Sequence, residues 1–335
     1  MSSELRGLVV GAGARVREVL APALIAAKVP IRVEGVVDPA VDVADGLGLG
    51  PVPAYESLDE ALGFQTYDVA LVACPHDLHQ STALRLLDAG VAVWKEKPFA
   101  LTIEDAHALA NRAGSLRVLA HRPHGQLFAM AERMLPSWGR LLSYRVHTTR
   151  PTGDYSATWR ALRDRSGGGA LLDLGYHAAD AITRLVPSPV TSVYALSPTT
   201  PAWRPHVEVE ESAHVLLAHS DGVRGTMYLS RHDDRQDMID LVAEHGRITI
   251  TDSHARISVH APGGLEHTMS VQAADHPWAQ MLRFHTNSLG DTSVDRSEAR
   301  IGVLSVSLIQ AAYTSLRSGS PEPLPAVTTH MEGAA

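Results

Sequence analysis

At 335 residues the chain is too long for one ordinary domain and comfortable for two, each able to bury a core of its own. A formal charge of −8, with the basic residues scattered, argues against a nucleic-acid-binding face, and no apolar run reaches the length of a membrane span. The single cysteine, Cys74, excludes an intrachain disulfide and argues against a cysteine-based metal site.

The N-terminus enters an apolar run within a few residues, and Glu4 and Arg6 stand where a signal peptide needs a basic start and a longer apolar stretch. A cytoplasmic protein is expected. LRGLVVGAG, RVEGVVD, YDVALVAC, VAVWKEK and LRVLAH are too continuously apolar to face water on one side, which predicts strands of a buried parallel sheet. Between them VREVLAPALIAA, SLDEAL, LHQSTALRLLDAG and TIEDAHALANRAG have helical spacing, with Thr102 as an N-cap ahead of acidic residues. Strand and helix in repeated succession predict a doubly wound α/β Rossmann domain over residues 1–122.

The pattern changes after Gly139. RLLSYRVHTTR reads as a strand and SGGGALLDLGYHAADAITRLV as one glycine-led helix. SAHVLLAH and VRGTMYLS alternate as strands, and SDG (220–222), EHG (244–246) and PGG (262–264) mark hairpins. DHPWAQMLRFHTNSL and RSEARIGVLSVSLIQAAYTSLRSG return to helix. An α+β domain with a large, mostly antiparallel sheet is therefore predicted over residues 123–335, its open face apolar and its last residues a disordered tail.

VVGAGAR ends a strand and opens a helix, the context a dinucleotide fingerprint requires. Gly11 permits the tight turn, Gly13 lets the backbone approach a pyrophosphate, and the helix start at Ala14 and Arg15 offers free N–H groups to the anion. Val16 replaces the third glycine, which predicts looser helix-to-strand packing. Asp38 ends the next strand, where a carboxylate takes both ribose hydroxyls; no arginine follows it, so NAD is preferred and NADP is the alternative. Cys74, Pro75, His76 and His79 follow the strand VALVAC at the carboxyl edge of the sheet, the ligand-binding edge of such folds. Glu96 and Lys97 end VAVWKEK at the same edge.

Only three lysines occur, Lys28, Lys95 and Lys97. Arginine keeps its proton in a protein whereas a buried lysine can release one, so the pair raises the question of proton transfer. Taken alone, Glu96 and Lys97 read as a solvated strand end. Asp173 and His177, four apart, share a helix face with Tyr176 and Asp180 at neighbouring positions, and can orient a hydroxyl and pass its proton. Gly167, Gly168, Gly169 and Gly175 let another chain or a flat ligand come close. His121 and His124 lie in a proline-containing loop without a nearby carboxylate and read as surface or substrate-facing groups; no metal is expected.

The order GxG, Asp, P-x-x-x-H, EKP, WR, then GGGxLxDxGxHxxD resembles the glucose-fructose oxidoreductase, inositol dehydrogenase and rhizopine-catabolism (Gfo/Idh/MocA) family of nicotinamide-dependent oxidoreductases. MLRFHTNSLG and the helix beyond it are similar to that family's closing helices. The resemblance implies that Lys97 is a catalytic acid/base, that Asp173 and His177 complete the proton-handling set, and that Trp159 and Arg160 lie near the substrate. His124 and Tyr176 join them as candidate substrate contacts. Where the family often has Thr-Pro-Asn this chain has Cys74-Pro75-His76.

The implied reaction is reversible hydride transfer between a nicotinamide and a carbon bearing a hydroxyl, on a sugar, inositol or aminocyclitol. Lys97 or His177 supplies the base, burial and the cofactor's cation lower the lysine pKa, and Asp173 holds base and hydroxyl in register. Lys97 is read as the proton mover and Lys95 as a solvated neighbour. Reduction of an imine or enone, and NAD-assisted glycoside cleavage, are alternatives on the same scaffold. A non-catalytic NAD-binding sensor is the rival from another class. In this family the second sheet commonly joins subunits, so a homodimer or homotetramer is expected.

Overall fold

In a computed structural model of the chain, the apolar runs of the first 120 residues pair edge to edge. β1 (Leu5–Val10), β2 (Ile31–Val37), β3 (Ala54–Tyr55), β4 (Val69–Val72), β5 (Ala92–Lys95) and β6 (Leu116–Val118) are all parallel, in the order β3-β2-β1-β4-β5-β6. The structure describes residues 4–40, 42, 46–112, 114–198, 206–251, 253–260, 266–273 and 277–324. The strand order reverses between β1 and β4, the switch point at which doubly wound sheets bind ligands.

Every residue of β4 and β5 is buried, as a sheet covered on both faces requires. The cover includes α1 (Ala21–Ala27), α2 (Leu58–Phe64), α3 (His79–Asp88) and α4 (Ile103–Ala110). Ser57 and Thr102 cap α2 and α4 by accepting the N–H of Glu60 and Asp105, the second as the sequence predicts. Ahead of α1 the chain winds a π-helical turn, Val16–Leu20. That turn is wider than an α turn, and it carries Val16 into the core where the fingerprint's third glycine would sit.

The second sheet contains β7 (Leu141–Thr149), β8 (Val190–Leu196), β9 (Ser212–His219), β10 (Arg224–Ser230), β11 (Gln236–Ala243), β12 (Gly246–Thr251), β13 (His254–His260), β14 (Glu266–Gln272) and β15 (Glu322–Pro323). Its order is β14-β13-β12-β11-β7-β10-β9-β8-β15, antiparallel except where β7 meets β10. SDG and EHG form the predicted hairpin turns; PGG at 262–264 and the expected tail, 325–335, lie outside the described residues. The helices before and across this sheet are α5 (Gln126–Met134), α6 (Arg163–Ser166), α7 (Ala170–Asp173) and α8 (Gly175–Leu185).

The predicted glycine-led helix is thus two pieces, with Leu174 still right-handed between them. Its glycines serve packing of the chain on itself. A Cβ on Gly169 would lie 1.8 Å from the Glu210 carbonyl oxygen, and one on Gly175 would lie 2.9 Å from Leu229. Glu210 returns the contact as a cap: its Oε1 accepts the N–H groups of Gly169 (3.0 Å) and Leu171 (2.9 Å) and the Tyr313 hydroxyl (2.8 Å). Gly169→Ala should therefore cost about 3 kcal/mol, read as a lower urea midpoint, because backbone on both sides must move. An unchanged midpoint would contradict this close approach.

The predicted boundary after residue 122 needs correcting at its far end. The compact units are residues 1–124 with 275–303, and 125–274 with 304–335. α9 (Pro277–Asn287) buries Trp278, Met281 and Leu282 in the core of the first unit with Leu20 and Trp94. Arg117, wholly buried on β6, draws the same stretch in: it pairs with Asp295 at 2.8 Å and donates to the carbonyls of His285 and Ser288. A buried guanidinium needs its charge and donors met, and the returning chain supplies them. The last helix, α10 (Thr292–Ser318), gives its first turns to this unit and its remainder to the other.

The open face of the second sheet is mixed rather than apolar. Leu196 and Leu216 are exposed there, but His214, Thr226 and Arg145 share the face in register.

Candidate active site

Gly11 sits at φ +87, and a Cβ there would lie 2.8 Å from the backbone of Ala73 and Cys74, so only glycine fits between the ends of β1 and β4. A Cβ on Gly13 would meet nothing within 4 Å, leaving the loop backbone open to a ligand. The Gly13 carbonyl accepts the N–H groups of Val16 (3.0 Å) and Arg17 (3.2 Å), so the helix opens directly from the loop. Asp38, at the end of β2, fastens the loop by accepting the Ala12 N–H at 2.8 Å, and it takes the Ala40 N–H at 3.0 Å. Arg15 and Glu96 pair at 2.8 Å, the guanidinium lying 5.3 Å from the Trp278 ring centre. Ala14 is exposed beside them.

Beyond β4, Cys74, Pro75 and His76 are half-buried at the carboxyl edge. His79 is buried, and its Nε2–H donates to the Cys74 carbonyl at 3.0 Å; it fixes the loop from inside. Burial, then the nearby Lys95 and His76, hold its pKa well below the usual histidine range, so it is neutral. Lys97 is 5% exposed.

Lys95 is not the solvated neighbour expected from the sequence. It is 0% exposed, and its Nζ donates to the carbonyls of Pro98 and, at 3.1 Å, Phe99. Burial pushes its pKa down to about 7, against the pull of Cys74 and Glu96. Between about 7 and the ordinary 10.5 the unfolded chain therefore holds the extra proton, and stability rises with pH. Below that window both states are protonated and the contribution is flat. Relative to Lys95→Met, the unmodified chain should gain stability across this window with a slope approaching about 1.4 kcal/mol per pH unit in urea unfolding. A flat difference would show that the amine keeps its proton in the fold.

His121 stacks on Trp278 (4.5 Å, 17°), and His124 packs on Phe284 (4.7 Å) and His285 (5.2 Å), so both half-buried rings are engaged with α9.

In the second unit Asp173 accepts from Arg231 Nη2 at 3.1 Å. Arg231 is buried at the end of β10, its guanidinium 4.9 Å from the Tyr155 ring centre. The Tyr155 hydroxyl donates to Glu211, and Glu211 pairs with His232. Burial works against the Arg231 charge, but Asp173 and Tyr155 more than offset it and hold its proton more firmly than usual. The network lies where β10 ends and β9 begins. Asp173 keeps partial exposure, 31% of its side chain, and His177 is half-buried on the next turn. Tyr176 is 0% exposed, which removes it from the substrate contacts: it faces the core beneath the helix. Asp180 is likewise buried and pairs with Arg184 at 3.3 Å. Trp159 and Arg160 stack on each other at 4.5 Å in a short 3-10 turn, Arg160 exposed.

Residues 5–122 match the model described as oxidoreductase family, NAD-binding Rossmann fold, and residues 137–249 match the GFO/IDH/MocA C-terminal domain. The chain belongs to the Gfo/Idh/MocA family. It is 32% identical over 241 residues to the proposed UDP-kanosamine synthase oxidoreductase subunit of Amycolatopsis mediterranei, covering 65% of this chain and 66%, just under two thirds, of that one. It is 26% identical over 333 residues to D-apiose dehydrogenase of Paraburkholderia graminis, covering 87% and 84%. Levoglucosan dehydrogenase, solved with NADH, superposes with a TM-score of 0.84 at 17% identity over 96% of this chain and 99% of its own, a likeness of fold.

The first unit of this Gfo/Idh/MocA chain is an NAD-binding Rossmann domain, and its residues fit the cofactor. Gly11 closes the turn, the open Gly13 and the helix start can receive the pyrophosphate, and Asp38 is fixed where a ribose would lie. Arg231, Tyr155, Glu211 and His232 are the residues that sequence reasoning missed. The one local signal was a charged pair, Arg231-His232, closing an alternating apolar strand.

Proposed function

We propose that this protein transfers a hydride reversibly between NAD and a hydroxyl-bearing carbon of a sugar, inositol or aminocyclitol. The observation that carries the reading is Lys97, desolvated at the carboxyl edge of an NAD-binding sheet, directly after β5. NAD, when bound, supplies the hydride acceptor. Lys97 takes the hydroxyl proton as the hydride leaves and returns it in the opposite direction. Asp173, braced by Arg231, and His177 orient substrate hydroxyls. Glu96 and Arg15 secure the loops around the cofactor, with Cys74, Pro75 and His76 along its edge. Trp159, Arg160 and His124 contact the substrate.

Support for a polyhydroxylated substrate comes from the names of the relatives, a D-apiose dehydrogenase and a levoglucosan dehydrogenase among them. Asp38 without a following arginine supports NAD over NADP. A cytoplasmic place fits a chain whose single, half-buried cysteine needs no oxidising compartment; among the described residues no helix is long and apolar enough to cross a membrane. The exposed Leu196 and Leu216 on the open sheet face support a homodimer or homotetramer, and light scattering should give at least twice the monomer mass. A monomer at micromolar concentration would rule that assembly out. The reaction itself is tested by nicotinamide absorbance with purified protein over inositols, aldoses and amino sugars. Cofactor binding without turnover on any of them would favour a sensor.

A further inference from the structure

Two loops leave the carboxyl edge of the first sheet side by side in sequence order: residues 74–76 after β4 and residues 96–99 after β5. Both are held from beneath. The His79 ring donates to the Cys74 carbonyl, and it also meets the Pro98 backbone. Lys95 donates to the carbonyls of Pro98 and Phe99. The two buried side chains therefore converge on the turn that carries Lys97.

A chain with only three lysines has placed one of them, fully buried, two residues from another. Packing alone would be served by an apolar side chain without the desolvation cost. Arginine is larger and stays charged, whereas a buried lysine amine donates to carbonyls in either protonation state. The titratable groups facing Lys95 are Cys74 from the end of β4, His79 of α3 with His76 beyond it, and Glu96 on its own turn. Glu96 is already paired with Arg15. From β6 the neighbour in register is Val118, while Arg117 is in register with Trp94 and points to the opposite face with it.

We propose that Lys95 is a positioning residue for Lys97, holding the turn that carries it through the Pro98 and Phe99 carbonyls. The role rests on the reading of Lys97 as the acid/base group. A turn released from those two bonds admits water to Lys97, now 5% exposed, and hydration favours the charged form of an amine. Removing Lys95 should therefore raise the Lys97 pKa.

The test needs no substrate. Lysine labelled with carbon-13 at Cε gives three signals in this chain, assigned with Lys28→Arg and Lys97→Arg. Their pH titration is followed in the full-length protein and in Lys95→Met and Lys95→Gln, with a cooperative thermal transition as the check on folding. The Lys97 midpoint should rise by about half a pH unit or more in both variants. A midpoint within about 0.2 of the unmodified protein in both overturns the proposal. Should the Met variant not fold, the Gln variant decides by the same criterion. Lys97→Arg with normal turnover is a separate failure: it overturns the acid/base reading, and the role of Lys95 with it.

Discussion

Lys97→Arg should bind NADH nearly as well as the unmodified chain and turn over at least about a hundredfold more slowly, the usual contribution of a positioned acid/base group. The substitution keeps the positive charge and much of the side-chain length at a position only 5% exposed. It removes the ability to release a proton, because the guanidinium stays protonated at any working pH. A loss in kcat with the cofactor Kd preserved separates proton transfer from binding. Near-normal turnover would take the lysine out of the mechanism.

Asp38→Ala should weaken NAD by roughly 2 kcal/mol, about thirtyfold in Kd, and weaken NADP much less, so that preference between them narrows. Two losses combine. The carboxylate no longer meets the ribose hydroxyls, and the Ala12 N–H loses the acceptor that fixes the glycine loop, with the Ala40 N–H freed as well. Equilibrium binding followed by nicotinamide fluorescence measures both cofactors in one series. Equal weakening of the two would mean that Asp38 serves the loop alone.

The sheet of the first unit was legible because its strands are buried on both faces, and such burial calls for continuous apolar runs such as VALV. β3 was not, since two residues carry no periodicity. The return of residues 275–303 was hidden for a different reason: Arg117 and Asp295 lie 178 positions apart, and no local pattern announces such a pair. Lys95 misled because a lysine at the end of a strand reads as solvated, whereas β5 sits between β4 and β6 and the amine turns back onto its own following carbonyls. Asp173 ends one helical piece and His177 stands in the next, where the spacing suggested a single helix, and Tyr176 beside His177 lies in the core. What braces Asp173 comes from β10, 58 residues on, through Arg231.

Glycine carried two messages in one chain. At Gly11 the positive φ and the contact with Ala73 and Cys74 belong to the ligand-binding edge, as the spacing VVGAG implied. At Gly169 and Gly175 the missing side chain admits Glu210 and Leu229, so that run is a packing device beneath the acidic and histidine positions.

The most direct measurement is nicotinamide absorbance on the purified full-length chain with NAD, over D-glucose, a methyl glucoside, myo-inositol, D-apiose and an amino sugar. Hydride transfer to NAD with at least one of them, abolished in Lys97→Arg, is the result expected. NADH binding intact with no absorbance change on any compound, in either direction of reaction, would contradict the assignment.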